Sequence, residues 1–377
     1  MAITVTTPNE LCFAGNPIIV KATTDKRLSE EESMLRIILY VTFKEKYNGG
    51  ESREAYTFTT DLSQPVENAG TAVFNLSDAA MTVIQRLMSE MDMNSDSWNR
   101  QVGLSCEYSC RDIWVVDGYE QYGDSSGTFS FDVIPGAFTD FEMLSRGSID
   151  LTEAFPAALS RMPAGRIIYK GDSLVVPAVS MESGEFDWSF SFESDPDVKI
   201  TGSVLVEGRT VYYMVADVES GAEGGFQFAG NMSENITGHF RNNRNGVHSL
   251  RFINGFGAVE SISVRSRDKL SYEVSGENHS LVQEIGVRPT DRRYSTKSQP
   301  VGVYELSSGY VPQRWAEWYV QELLTSPRVW IQLGGKWIPA LIEASDECVI
   351  YDRSNPEMPH VDFTLRLAVD GVTGCVW

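Results

Sequence analysis

What this chain lacks narrows it first. Its 377 residues include only four histidines and five cysteines. Five is an odd, sparse number for this length, so no disulfide framework is expected. Cys106 and Cys110 stand four apart in a strand-like stretch, while Cys12, Cys348 and Cys375 lie alone; buried, reduced thiols are the expectation. None of His239, His248, His279 and His360 has metal-ligand spacing, so neither a metal nor a cofactor is expected. Basic residues are few: 31 Lys and Arg against 52 Asp and Glu give a formal charge of −21. Such a surface repels phosphate backbones, so no stable nucleic-acid binding is expected. No apolar run approaches the ~20 residues of a membrane span. The longest, 35–43, is strand-sized and contains Arg36. The opening residues Met1 to Pro8 have no basic stretch followed by an apolar one. That pattern predicts no signal peptide, no membrane insertion and folding in a cytoplasm.

What is present suits β-structure. Hydrophobic residues make up 42% and aromatics 11%, enough for packed domains. Thirty-one Gly and fifteen Pro punctuate the chain as turns between short strands would. The prediction is a mainly β, multi-domain chain of β-sandwich or barrel-like domains with two short amphipathic helices. Residues 1–135 read as an N-terminal β domain with one inserted helix, its stripe being Met81, Ile84, Leu87, Met88 and Met91. Residues 136–290 read as a middle β region in which 219–247 form long Gly/Asn-rich loops. Residues 291–377 read as strand, helix and hairpin: Pro312 opens the helix, Pro327 ends it, and Gly334-Gly335 turns the hairpin.

Chemistry is harder to find. Gly171-Asp172-Ser173-Leu174 is the tetrapeptide of a lipase and esterase family, whose serine needs a histidine placed three residues after an aspartate. The residues three before the four histidines are Ile236, Asn245, Gly276 and Glu357, and the motif runs into a strand. No Walker, Rossmann, zinc-protease or nucleophile-elbow pattern occurs, so a non-enzyme is expected.

Candidate surfaces come from aromatics and arginines. The run 186–192 alternates aromatic and polar residues, placing Phe186, Trp188, Phe190 and Phe192 on one face. That face is a sandwich core if buried and a sugar-stacking or subunit-contact surface if exposed. Arg241, Arg244 and Arg251 cluster, as do Arg288, Arg292 and Arg293; each is a local basic patch or, as the favoured reading, a solvated loop. The interface candidates are Trp188, Phe190, Arg241, Arg244, Trp315, Trp318, Trp330 and Trp337.

Three stretches carry a resemblance. Phe13-Ala14-Gly15-Asn16-Pro17-Ile18-Ile19-Val20 precedes strands and Gly70-Thr71-Ala72-Val73-Phe74-Asn75-Leu76-Ser77. Leu250-Arg251-Phe252-Ile253-Asn254-Gly255-Phe256-Gly257 forms a turn, with Ala258 where a second Gly would stand. Trp315, Trp318, Glu322, Leu323, Leu324 and Ser326 lead into Val329-Trp330-Ile331, Trp337-Ile338-Pro339 and a final strand at 363–368. About half the chain thus resembles tail-associated structural proteins of Bacteroides-type phages and prophages. The resemblance implies a distal-tail, hub or baseplate protein of the virion, assembling with itself into a symmetric ring and with other tail proteins. It brings no active site. The alternative is a carbohydrate- or receptor-binding β-sandwich module, which a virion could also carry toward a host surface glycan.

Overall fold

Period-two burial organises the chain into sheets. In Thr71–Asn75 exposed and buried residues alternate strictly, the pattern of a strand with one face on a core. The computed structural model describes residues 3–46, 55–139, 142, 157–230, 235–280, 293–344 and 359–368. Within them the chain is mainly β and multi-domain, with two short helices.

The N-terminal unit packs two sheets. Ile3–Thr6, Ile19–Thr24 and Thr71–Asn75 form one. Leu11–Phe13, Phe129–Ile134, Leu104–Val116, Glu32–Glu45 and Thr57–Pro65 run in that order through the other. Helix α1 (Ser77–Ser89) buries Ala80, Val83, Ile84, Leu87 and Met88, and Met81 and Met91 pack half-buried against the same core. Cys106 and Cys110 are buried, reduced and on one face of their strand. Burial pushes the Cys110 thiol up to about 12, which leaves it an inert apolar filler.

The middle unit is a sandwich. Ala157–Ala158, Asp172–Ser180 and Thr210–Val218 form a three-stranded sheet. Facing it is a five-stranded sheet of Arg166–Tyr169, Ile236–Arg241, Gly224–Ala229, Gly184–Phe192 and Asp195–Val206. Two of these strands overturn the expectation of long loops across 219–247. Phe226, Phe228 and Phe240 there are buried at 1% exposure or less and complete the sandwich core.

The C-terminal unit is a closed six-stranded barrel. Its order is Val247–Ile253, Val259–Ser280, Arg293–Tyr310, His360–Leu367, Lys336–Ala344 and Val329–Leu333. The barrel therefore draws strands from both sides of the boundary expected at 290/291. Helix α2 (Gln313–Trp318) continues as a π turn, Tyr319–Leu323, in which the Leu324 N–H donates to the Tyr319 carbonyl. Trp318, Tyr319 and Leu323 plug the barrel core, and the widened turn carries Glu322, also buried.

Each unit is tied to the other two. Val102 and Val211 exchange backbone hydrogen bonds between the N-terminal unit and the sandwich. Asn94 pairs reciprocally with the Trp337 backbone, at 2.7 and 2.8 Å, joining the N-terminal unit to the barrel. Ser261 bridges barrel and sandwich by accepting from the Val175 N–H and donating to the Ser173 carbonyl. At the centre, Phe13, Phe138 and Phe256 pack ring against ring. Arg161 lies over Phe256 and donates to Glu142, Glu322 and the Ala137 carbonyl. Glycine is required beside this cluster. At Gly136, with φ +88°, a Cβ would meet the Phe256 carbonyl carbon at 2.0 Å.

Candidate functional site

The seam between sandwich and barrel is built by one reversal of the chain. Ile236–Arg241 pairs in parallel with Arg166–Tyr169, setting Arg241 beside Tyr169. The chain then turns through Asn242 to Gly246, the latter at φ +65°. It continues as Val247–Ile253, whose first residue pairs with Arg265 of the neighbouring barrel strand. Arg241 ends the sandwich and Arg265 lies on the barrel, and both face one cleft. The cleft has a volume of about 870 Å³ and is lined also by Tyr169, Glu223, His239, Asn243 and Asn245. A smaller hollow of about 170 Å³ shares Tyr169 and Arg265 and continues over Ile167, Tyr310, Pro312 and Trp315. The two hollows adjoin at Tyr169 and Arg265, a cationic, amide-lined one beside an aromatic one, and together make the groove. Tyr310 is 68% exposed there, and the Trp315 indole N–H donates to the Ala164 carbonyl, which fixes its ring.

Charge in the groove is unevenly engaged. Among the described residues, the guanidinium groups of Arg241 and Arg265 make no hydrogen bond or ion pair. Glu223 accepts from the Asn242 N–H, and the Asn243 side chain accepts from the Asn245 N–H, bracing the loop. Arg244 is committed elsewhere. It donates to Asp172 at 2.8 Å and to Ser249 at 2.5 Å. Asp172 also accepts from Ser263 and from the Tyr169 N–H, which makes it a buried anchor of the seam. Behind the loop, His248 stands edge-on to Tyr304. Burial, and then the Arg244 charge, lower its pKa, so the neutral ring is favoured. In the Gly171-Asp172-Ser173-Leu174 stretch, Asp172 is thus the anchor, and Ser173 Oγ donates to Asp217 Oδ1 at 2.5 Å.

No family model matches the chain, and no curated protein matches it. Solved structures that are similar in part include the following three. The native conformation of E. coli alpha-2-macroglobulin is 9% identical, covering 74% of this chain and 18% of its own, with a TM-score of 0.20. The CsuC–CsuE chaperone–tip adhesion subunit complex of Acinetobacter baumannii is 7% identical, covering 64% and 100%, with a TM-score of 0.16. CBD12 from CALX1.2 is 7% identical, covering 58% and 76%, with a TM-score of 0.16. Scores this low carry neither fold nor function to this chain.

The structure separates the eight interface candidates. Arg241 and Trp315 line the groove. Arg244 does not offer its charge, because Asp172 and Ser249 hold it. Phe190, Trp318 and Trp330 are corrected outright: at 0%, 3% and 8% exposure they are core, Phe190 in the sandwich, Trp318 in the barrel and Trp330 in the cluster shared with the N-terminal unit. Trp188 is half-buried and stacked on Phe228, over Gly202. Trp337 sits 4.3 Å from the Arg251 guanidinium, which Trp98 covers from 4.0 Å. Arg288 and Arg292 lie outside the described residues. Tyr169, His239, Arg265 and Tyr310 were not singled out by sequence. Arg265 follows a plain alternation, Ser261 to Val264, and looks like any solvent-facing strand residue. The one available signal was the Asn242-Asn243-Arg244-Asn245-Gly246 turn, whose composition marks a functional loop.

Proposed function

We propose that this chain is a non-enzymatic recognition module that holds a ligand in the groove between its sandwich and its barrel. The observation that carries this reading is the pair Arg241 and Arg265, without a partner among the described residues and facing one cleft, which adjoins the hollow of exposed Tyr310. Guanidinium forks without partners in a concave, mostly polar site are poised for a ligand's acceptors. The non-enzymatic part is supported by Ser173, whose hydroxyl is engaged by a carboxylate that cannot relay its proton as imidazole does. The test is a ligand screen of the full chain read by thermal shift and arrays, beside a broad hydrolase screen. Binding lost on Arg265→Gln supports the module. Turnover that vanishes on Ser173→Ala overturns it.

A second reading, a structural component of a phage or phage-like tail tip or baseplate, draws support from backbone left open for neighbours. Asp195–Val206 pairs on one side only, as the edge of its sheet. Among the described residues, 272–280 pair only with 293–302, as a two-stranded ribbon beyond the barrel. Such edges accept strands from adjacent copies, and a lone ribbon is marginal until it does. In this reading the chain forms a symmetric ring in the virion tail. Ring-shaped particles and a solution mass several times 42.0 kDa support it. A monomer at every concentration tested overturns it.

A further inference from the structure

Resting on the recognition-module reading, we infer that the groove takes a carboxylate-bearing saccharide, its acid between Arg241 and Arg265 and a sugar ring on the Tyr310–Trp315 end. Three observations carry the choice of ligand.

The first is charge. On a chain of net charge −21, two arginines without a partner among the described residues share a lining with a single carboxylate, Glu223, which already accepts from the loop backbone. The lining is therefore locally cationic. A planar guanidinium matches a carboxylate with two parallel hydrogen bonds.

The second is the polar wall. Asn243 and Asn245 offer amides, each both donor and acceptor, which suits the mixed demands of vicinal hydroxyls. At the far end, exposed Tyr310 and the fixed Trp315 ring present flat apolar area beside Pro312, of the kind a sugar face covers.

The third separates a saccharide from an acidic peptide. An extended peptide gains most of its affinity by adding to a free strand edge. Here Ile236–Arg241 lies between two partner strands, and Val259–Ser280 lies between two others. At Arg265 both edges are taken, by Val247 and by Ser307, and Gly238–Phe240 is paired on both sides just before Arg241, so in the groove recognition falls to side chains.

The test uses the full chain on an array of uronic- and sialic-acid oligosaccharides, each beside its carboxyl-reduced counterpart, with poly-glutamate as a peptide control. The expected result is binding of an acidic glycan and loss of about tenfold or more on carboxyl reduction. Arg241→Gln and Arg265→Gln, on exposed side chains, are expected to lose a similar factor without a change in melting temperature. Tyr310→Ala is expected to weaken the reduced and acidic forms alike. Equal binding of both forms overturns the carboxylate assignment while leaving the recognition module standing. Arginine-dependent binding of poly-glutamate in preference to every glycan overturns the saccharide. Retention by no probe at all removes both the inference and the reading beneath it.

Discussion

Arg161 and Arg265 carry the same guanidinium into opposite surroundings. Around Arg161, Glu142 accepts two hydrogen bonds, Glu322 accepts one, the Ala137 carbonyl accepts another, and the Phe256 ring covers one face. Burial works against the Glu142 charge, but the Arg161 bonds outweigh it and hold that carboxyl below its usual value. Around Arg265 there is a cleft and no bound partner among the described residues. The contrast teaches how an arginine's role is read. A fork with four of its five N–H donors met inside the chain is part of the frame; a fork left open beside a hollow is available to something else.

The comparison can be broken in order of expected effect. Arg161→Ala strands Glu142 and Glu322 as partly buried carboxylates, and should cost about 3–5 kcal/mol in urea unfolding. A loss under ~1 kcal/mol would mean that water replaces the arginine and the frame is looser than its geometry. Trp337→Ala opens one side of the Arg251 sandwich and should cost about 2 kcal/mol, read by the same method. Next comes acid. The folded chain holds His248 neutral below its ordinary 6.5, so unfolded chains bind more protons there. Its contribution to stability is present above pH 6.5 and is lost as pH falls through the lowered folded value. His248→Phe should therefore flatten the fall in melting temperature just below pH 6.5; an unchanged slope would place the titrating group elsewhere. Least of all, Arg241→Gln and Arg265→Gln should move stability by no more than ~0.5 kcal/mol. A large loss from either would show that the groove arginines belong to the frame after all.

Local patterns in the sequence reached the fold further than the site. The α1 stripe and the Gly334-Gly335 hairpin are visible because neighbours in sequence are neighbours in space. The strands Gly224–Ala229 and Ile236–Arg241 are hidden by the glycines that make them possible. At Gly238 a Cβ would stand 2.2 Å from the Arg166 carbonyl oxygen and against the Phe226 ring, so close approach demands the residue that reads as loop. Barrel closure depends on Leu250 meeting Ile331 across the chain, which no local period announces. The groove was out of reach for the same reason: Arg241 and Arg265 come together only through a turn and a strand register. Aromatic richness misled in the other direction. Phe190, Trp318 and Trp330 satisfy the same pattern as contact residues, and only their burial tells core from surface.

The three mutual ties between the units have a mechanical meaning. Two bodies joined at one place can swing about it, but three bodies each braced to both others form a truss with no axis left to turn on. A tug on anything seated in the groove is shared at once between the Val102–Val211 rung, the Asn94–Trp337 clasp and the Ser261 bridge. Bracing of this kind keeps the spacing of the groove's two walls tied to the N-terminal unit as well as to each other.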